Sequence, residues 1–123
     1  MHALLNVGVM AARKAGDSLI RNLNKLDQLK AKATLKGKND FVSDADLIAE
    51  SIIIETISKH YPDHAILAEE SGTQGESDYK WIIDPLDGTT NFLHGFPVFC
   101  VSIGLMYKNI IEHAVVYDPI KQE

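Results

Sequence analysis

Eight consecutive residues, Asp84-Pro85-Leu86-Asp87-Gly88-Thr89-Thr90-Asn91, gather two carboxylates, one glycine and two hydroxyls. They follow Trp81-Ile82-Ile83, which reads as a short buried strand, so the polar groups fall where a strand gives way to a turn. Pro85 fixes the backbone and lets Asp84 and Asp87 converge on one side of that turn. Hard oxygen ligands of this kind suit Mg²⁺, and a backbone carbonyl such as that of Leu86 adds a third donor. Gly88 permits close backbone approach, and if Thr89-Thr90-Asn91 opens a helix its free N–H groups face an anion bound there. A phosphate bridged to divalent cations fits this arrangement. The plainer alternative is an Asp-Pro-x-Asp-Gly turn with a Thr cap, which needs no ligand.

Other carboxylates have their own plain readings. Glu69-Glu70 follows the expected strand Ala65-Ile66-Leu67-Ala68, where a site at strand ends can gather them, but such a pair also suits a solvated loop. Asp46 stands three residues after Ser43, a capping-box spacing that needs no catalysis. Cys100 lies in an apolar strand, and His2, His60, His64, His94 and His113 show no paired ligand spacing, so neither a thiol nucleophile nor a zinc centre is expected. His94 closes the long motif and equally suits a hydrogen bond to a backbone carbonyl.

Taken in order, Lys36-x-x-x-Asp40-x-Val42-Ser43-x-x-Asp46, then Ala68-Glu69-Glu70-Ser71, then Trp81 through Asp84-Pro85-Leu86-Asp87-Gly88-Thr89-Thr90-Asn91-Phe92-x-His94, the chain resembles the inositol monophosphatase family, most closely its bacterial branch. The resemblance implies that Glu69, Asp84 and the Leu86 carbonyl ligate one Mg²⁺ and that Asp84 and Asp87 reach a second, in a complete site of two or three ions. It implies that Asp46 and Thr89 orient a Mg²⁺-activated water for attack on phosphorus. Gly88, Thr89 and Thr90 then donate to the phosphate, Asp87 also faces a sugar hydroxyl, and Lys36 supports the loop electrostatically. The implied reaction is in-line hydrolysis of a phosphate monoester, myo-inositol monophosphate first, with no covalent phosphoenzyme. Fructose 1,6-bisphosphate and 3′-phosphoadenosine nucleotides are the substrates of relatives that share the Asp-Pro-x-Asp-Gly-Thr element. The resemblance also implies a homodimer, and a non-catalytic alternative as a protein partner of the transcription machinery.

Family members carry a second half with a Trp-Asp-x-Ala-Ala-Gly element whose Asp completes the second metal site, and nothing here matches it. Residues 1–123 therefore read as one N-terminal domain with the C-terminal half missing. Catalysis by this chain alone is not expected, and open apolar sheet faces predict oligomerisation or instability.

The elements that must position these residues follow from periodicity. From His2 to about Lys30, Leu5, Val9, Ala12, Leu19, Leu23 and Leu26 recur with Arg13, Lys14, Asp17 and Arg21 between them, predicting an amphipathic helix. Thr34 to Val42 has the composition of a loop or short hairpin. Ser43 is the expected N-cap of a second helix with an apolar stripe of Leu47, Ile48, Ile52, Ile53 and Ile57, ended by Tyr61-Pro62-Asp63. A polar surface loop is expected from Glu69 to Lys80. Val98 to Tyr107 and Ile110 to Tyr117 are β-rich runs joined at Lys108-Asn109 as a hairpin of open turn type. The expected class is α+β, two helices on a largely antiparallel sheet, the N-terminal portion of the layered α/β sandwich of the inositol monophosphatase (sugar phosphatase) fold.

Composition bounds the rest. With 123 residues, 46% of them hydrophobic, the chain is long enough for one domain with a core. A net charge of -5 disfavours direct binding of nucleic acid or anionic lipid. One cysteine, a start without a secretory pattern and no long apolar run predict a reducing cytoplasm and no membrane span.

Overall fold

The computed structural model describes residues 3–30, 35–69, 71–87 and 99–123, and the side chains there except those of 25–30 and 35–43. Helix α1 spans Ala3–Lys30 and helix α2 spans Leu35–His60. The strands are β1 Ala65–Ala68, β2 Gly72–Gln74, β3 Tyr79–Asp87, β4 Cys100–Tyr107 and β5 Ile110–Tyr117. They form one sheet in the order β2-β1-β3-β4-β5, with β1 and β3 parallel and every other neighbour antiparallel. Both helices lie on one face, α1 against β4 and β5 and α2 against β3. The expected class of two helices on a largely antiparallel sheet is the one observed.

The buried rows differ in detail from the sequence reading. On α1 the buried row is Val7, Ala11, Ala15, Leu19 and Leu23, every fourth residue, with Ala12 beside it; Leu5 and Val9 are half-buried, and Arg13, Lys14, Asp17 and Arg21 are exposed as expected. On α2 the row is Ala45, Ala49, Ile53 and Ile57, whereas Leu47 and Ile48 are 42% and 46% exposed. Small alanines in both rows let helix axes approach closely, so shape rather than side-chain size chose the inward face. Gly16 shows the same pressure against β5, since a Cβ there would stand 2.7 Å from the Tyr117 ring.

Two boundary expectations are corrected. The loop or hairpin expected over Thr34 to Val42, with Ser43 as N-cap, is replaced by helix from Leu35 onward, and Thr34 lies outside the described residues. Helix propagation adds one hydrogen bond per residue once the turns from Asp44 onward exist, and one glycine such as Gly37 costs only about 1 kcal/mol against that. The polar stretch from Glu69 to Lys80 contains β2, whose Gly72 takes the left-handed φ of 70° that closes the turn from β1. Helix α2 ends at His60 before Tyr61-Pro62-Asp63, and β1 covers Ala65–Ala68, both as expected.

Strand alternation assigns the sheet faces. Trp81 and Ile83 of β3 and Val101, Ile103 and Leu105 of β4 are buried towards the helices. Ile82 and Asp84 therefore lie on the opposite, outer face with Ser102, Gly104, Ala114 and Val116. The β4–β5 hairpin turns at Lys108 and Asn109, whose φ values of 50° and 68° define a type I′ turn and settle its type.

At the end of the sheet where β1 and β3 begin, the His64 ring lies between those of Tyr61 and Tyr79, at centroid distances of 4.6 Å and 4.7 Å. The Trp81 indole N–H donates to His64 Nδ1 at 3.0 Å, which requires that nitrogen to be unprotonated. Burial pushes the His64 pKa below 6.5, opposed by the nearby Asp63 charge. A histidine lowered in the fold contributes stability that is present above pH 6.5 and lost as pH falls through its folded pKa. The melting temperature is expected to fall on acidification from pH 7.5 through this window. His64→Gln, which keeps an acceptor and cannot titrate, is expected to flatten that limb; an unchanged pH profile would count against the role.

Candidate functional site

The candidate site lies at the other end, where β3 leaves the sheet. Strand β3 runs through the motif as far as Asp87, so the expected turn at Asp84–Asp87 is instead an irregular strand end: the ladder pairs Asp84 with Ser102 and Asp87 with Cys100 and shifts register between them. A bulge of this kind gathers residues that strict alternation would separate, and it does so beside Pro85, whose missing N–H cannot serve a regular ladder. Pro85 and Leu86 are buried, Asp84 is half-buried and Asp87 is exposed. The Leu86 N–H donates to Asp84 Oδ1 at 3.3 Å, tying the first carboxylate to the peptide two residues on.

Electrostatics mark the two aspartates as neighbours. Burial raises the Asp84 pKa above 3.8, the Leu86 N–H bond opposes that, and the Asp87 charge adds to it. Two carboxylates sharing a partly desolvated strand end repel one another, which a cation would relieve. Cys100 stands across from them with its thiol directed to Asp87 Oδ2 at 3.8 Å. Burial pushes its pKa up, a hydrogen bond with Ser102 opposes that, and the Asp87 and Asp84 charges add to the rise, keeping it a thiol at neutral pH and a poor nucleophile.

The parallel ladder adds Glu69. Ala68 pairs with Ile83 as the last pair of that ladder, so Glu69 and Asp84 are the residues that follow it on the two adjacent strands. Glu69 itself is exposed in the turn between β1 and β2. Asp46 is half-buried on α2. Gly88, Thr89, Thr90, Asn91 and His94, together with Glu70, lie outside the described residues, and the Lys36 and Asp40 side chains lie outside those described.

The donor chemistry fits Mg²⁺: carboxylates of Asp84 and Asp87, the carbonyl of Leu86, and Glu69 one strand away are all hard oxygens. Among the described residues no three His, Cys, Asp or Glu side chains stand close enough together to hold an ion. The described set thus contributes two aspartates and a backbone carbonyl on one strand end, with Glu69 in the turn that follows the neighbouring strand.

One side chain escaped the sequence reading. Glu50 on α2 is 1% exposed, and its Oε1 accepts the Ser71 N–H at 3.0 Å and the Ser71 hydroxyl at 2.5 Å. The available signal was its position beside Ala49 in the apolar row, one helical turn after Asp46, where a carboxylate needs a partner.

Two helices on one face of a mixed five-stranded sheet, with aspartates at one end of its central strand, define an α+β framework. Residues 1–123 match the model of the Inositol monophosphatase family, and the chain belongs to that family. Nus factor SuhB of Escherichia coli strain K12 is 50% identical over 125 aligned positions, covering 100% of this chain and 46% of that protein. The Pseudomonas aeruginosa Nus factor SuhB is 47% identical over 127 positions with the same coverage. The extragenic suppressor protein suhB from Bartonella henselae superposes with a TM-score of 0.85 at 44% identity, over 99% of this chain and 46% of that one. Inositol monophosphatase from Anabaena gives 0.80 at 40% identity, over 98% of this chain and 41% of that one. The chain spans about half the length of the curated relatives it matches. Among the described residues no helix is long and apolar enough to cross a membrane.

Proposed function

We propose that this chain forms the N-terminal part of a Mg²⁺-dependent phosphate monoesterase, with myo-inositol monophosphate as the substrate that best suits it. The observation that carries the reading is that Asp84, Leu86 and Asp87 share the irregular end of β3, while Glu69 follows the last β1–β3 pair, Ala68 with Ile83. Family membership and the family's usual Mg²⁺ dependence support it.

Glu69, Asp84, the Leu86 carbonyl and Asp87 would hold Mg²⁺, in two or three ions when the site is complete. Bound there, Mg²⁺ supplies positive charge against the phosphoryl oxygens and lowers the pKa of water. Asp46 and Thr89 would orient the attacking water by hydrogen bonds. The Gly88, Thr89 and Thr90 donors bind phosphate, Asp87 also takes a sugar hydroxyl, and Lys36 adds positive potential. The rest of the site belongs to a second half of the family's length, so this chain alone is expected to bind the ion better than it turns over ester.

Calorimetric titration of Mg²⁺ into this chain and into Asp84→Asn tests the reading. Asp84→Asn is expected to weaken binding about tenfold or more, the loss of one charged ligand. Absence of any binding in the unsubstituted chain would sink the proposal. A substrate panel on a full-length version separates inositol phosphates from fructose 1,6-bisphosphate and 3′-phosphoadenosine nucleotides.

A second reading is favoured by the relatives named Nus factor SuhB: a protein partner of the transcription machinery, docking by protein contacts. A pull-down that retains neither RNA polymerase nor a Nus-type factor counts against it. A reducing cytoplasm and a homodimer complete the proposal.

A further inference from the structure

We infer that Glu50 is a positioning residue for the metal-binding turn: from α2 it anchors Ser71 and thereby fixes Glu69 beside Asp84. The inference rests on the reading of Glu69 and Asp84 as Mg²⁺ ligands.

Burying a carboxylate is unfavourable unless its oxygens are satisfied, and Glu50 is 1% exposed. Its Oε1 accepts both the backbone N–H and the hydroxyl of Ser71, the latter at 2.5 Å, a length typical of a charge-assisted bond. Ser71 sits immediately before Gly72, and Gly72 pairs with Ala68. Ala68 is held on its other side by Ile83 of β3. The turn carrying Glu69 is therefore fixed at its start by the sheet and at its end by a helix side chain twenty-one residues earlier. Without the second anchor, the turn keeps its β1 end and loses the constraint that limits where the Glu69 carboxylate reaches.

Asp46 precedes Glu50 by four residues, so both stand on the same side of α2. One helical segment thus carries the proposed water-orienting carboxylate and the anchor of a proposed ligand. A shift of α2 would move both relative to the end of β3, which gives a physical reason for burying a charged anchor instead of an apolar side chain.

The test uses this chain with Mg²⁺ alone as the probe, measured by calorimetry, together with hydrogen exchange at the Ser71 amide. Glu50→Gln retains an oxygen that accepts both bonds and is expected to keep Mg²⁺ affinity within about twofold. Glu50→Leu leaves both Ser71 donors without this acceptor and is expected to weaken Mg²⁺ about tenfold and speed Ser71 exchange. Ser71→Ala keeps the backbone bond alone and is expected to fall between, about threefold. A bond that merely held the hairpin would lower the melting temperature and leave the affinity of the folded chain in place. If the unsubstituted chain binds Mg²⁺ in an Asp84-dependent way and both Glu50→Leu and Ser71→Ala bind as tightly, positioning is overturned and the metal reading stands. If the unsubstituted chain binds no Mg²⁺, the metal reading fails and the positioning role fails with it. Where Glu50→Leu does not fold, Ser71→Ala, changed at an exposed residue, decides.

Discussion

Trp81→Ala is expected to lower the free energy of unfolding by about 3–5 kcal/mol, the usual loss when a buried aromatic is truncated in a core that cannot collapse around the gap. Trp81 is 2% exposed on the central strand, between Ile66 of β1 and Leu105 of β4. Its ring lies 3.4 Å from where a Cβ on Gly8 would stand, so α1 crosses directly over it. The substitution opens a cavity under that crossing and removes the indole donor from His64 Nδ1. Domains of this size have only about 5–15 kcal/mol to lose, so a large part of the stability is at stake. Trp81 is the sole tryptophan, so the measurement is urea unfolding followed by far-UV circular dichroism rather than fluorescence. Trp81→Phe, which refills most of the volume, is expected to recover more than half of the loss. A Trp81→Ala loss below about 1 kcal/mol would contradict the packing described.

How much of this was legible in the residues differs by level. Strands β1, β3, β4 and β5 announced themselves through apolar runs, and the hairpin through a two-residue connection, because those signals are local; the polar β2 did not, since its pairing with β1 makes it a strand. Its turn type was not legible: Lys108 carries no preference for positive φ, and the pairing of β4 with β5 imposes it. The inward helix faces were read in part: Ala12, Leu19, Leu23, Ile53 and Ile57 are buried as expected, whereas Leu47 and Ile48 are exposed and Ala11, Ala15, Ala45 and Ala49, too small to carry the reading, complete the buried rows. The order of the carboxylates along the chain pointed to Asp84 and Asp87, and their proximity follows from a bulge that no single strand pattern encodes. That Glu69 follows a strand neighbouring β3 needed the parallel pairing, which exists only once β1 and β3 are side by side. Glu50 was hidden for the same reason, since its partner Ser71 is remote in sequence.

Self-association of this chain is the second large effect expected, because among the described residues nothing covers one sheet face. The helices occupy the inner face, while Ile82, Ile111 and Val116 on the outer face are 37%, 66% and 67% exposed. They border an open groove of about 220 Å³ that Asp84, Ser102 and Met106 also line. Among the described residues strand β5 ends the sheet, so a strand edge adjoins this apolar face, and such a pair of features favours chain-to-chain contact. Sedimentation velocity is expected to show oligomers for the unsubstituted chain. Ile111→Lys combined with Val116→Lys is expected to shift it to monomer and to reduce binding of an apolar dye severalfold, since two charges then interrupt the face. A monodisperse monomer before substitution would refute the expectation. The consequence reaches the site itself: whatever covers the groove also encloses the Asp84 carboxylate, withdrawing water from it and strengthening its interaction with a cation. The same covering that ends self-association is therefore expected to tighten Mg²⁺, whereas the lysine pair ends self-association without enclosing Asp84, and Mg²⁺ titrations on the two kinds of sample separate these effects.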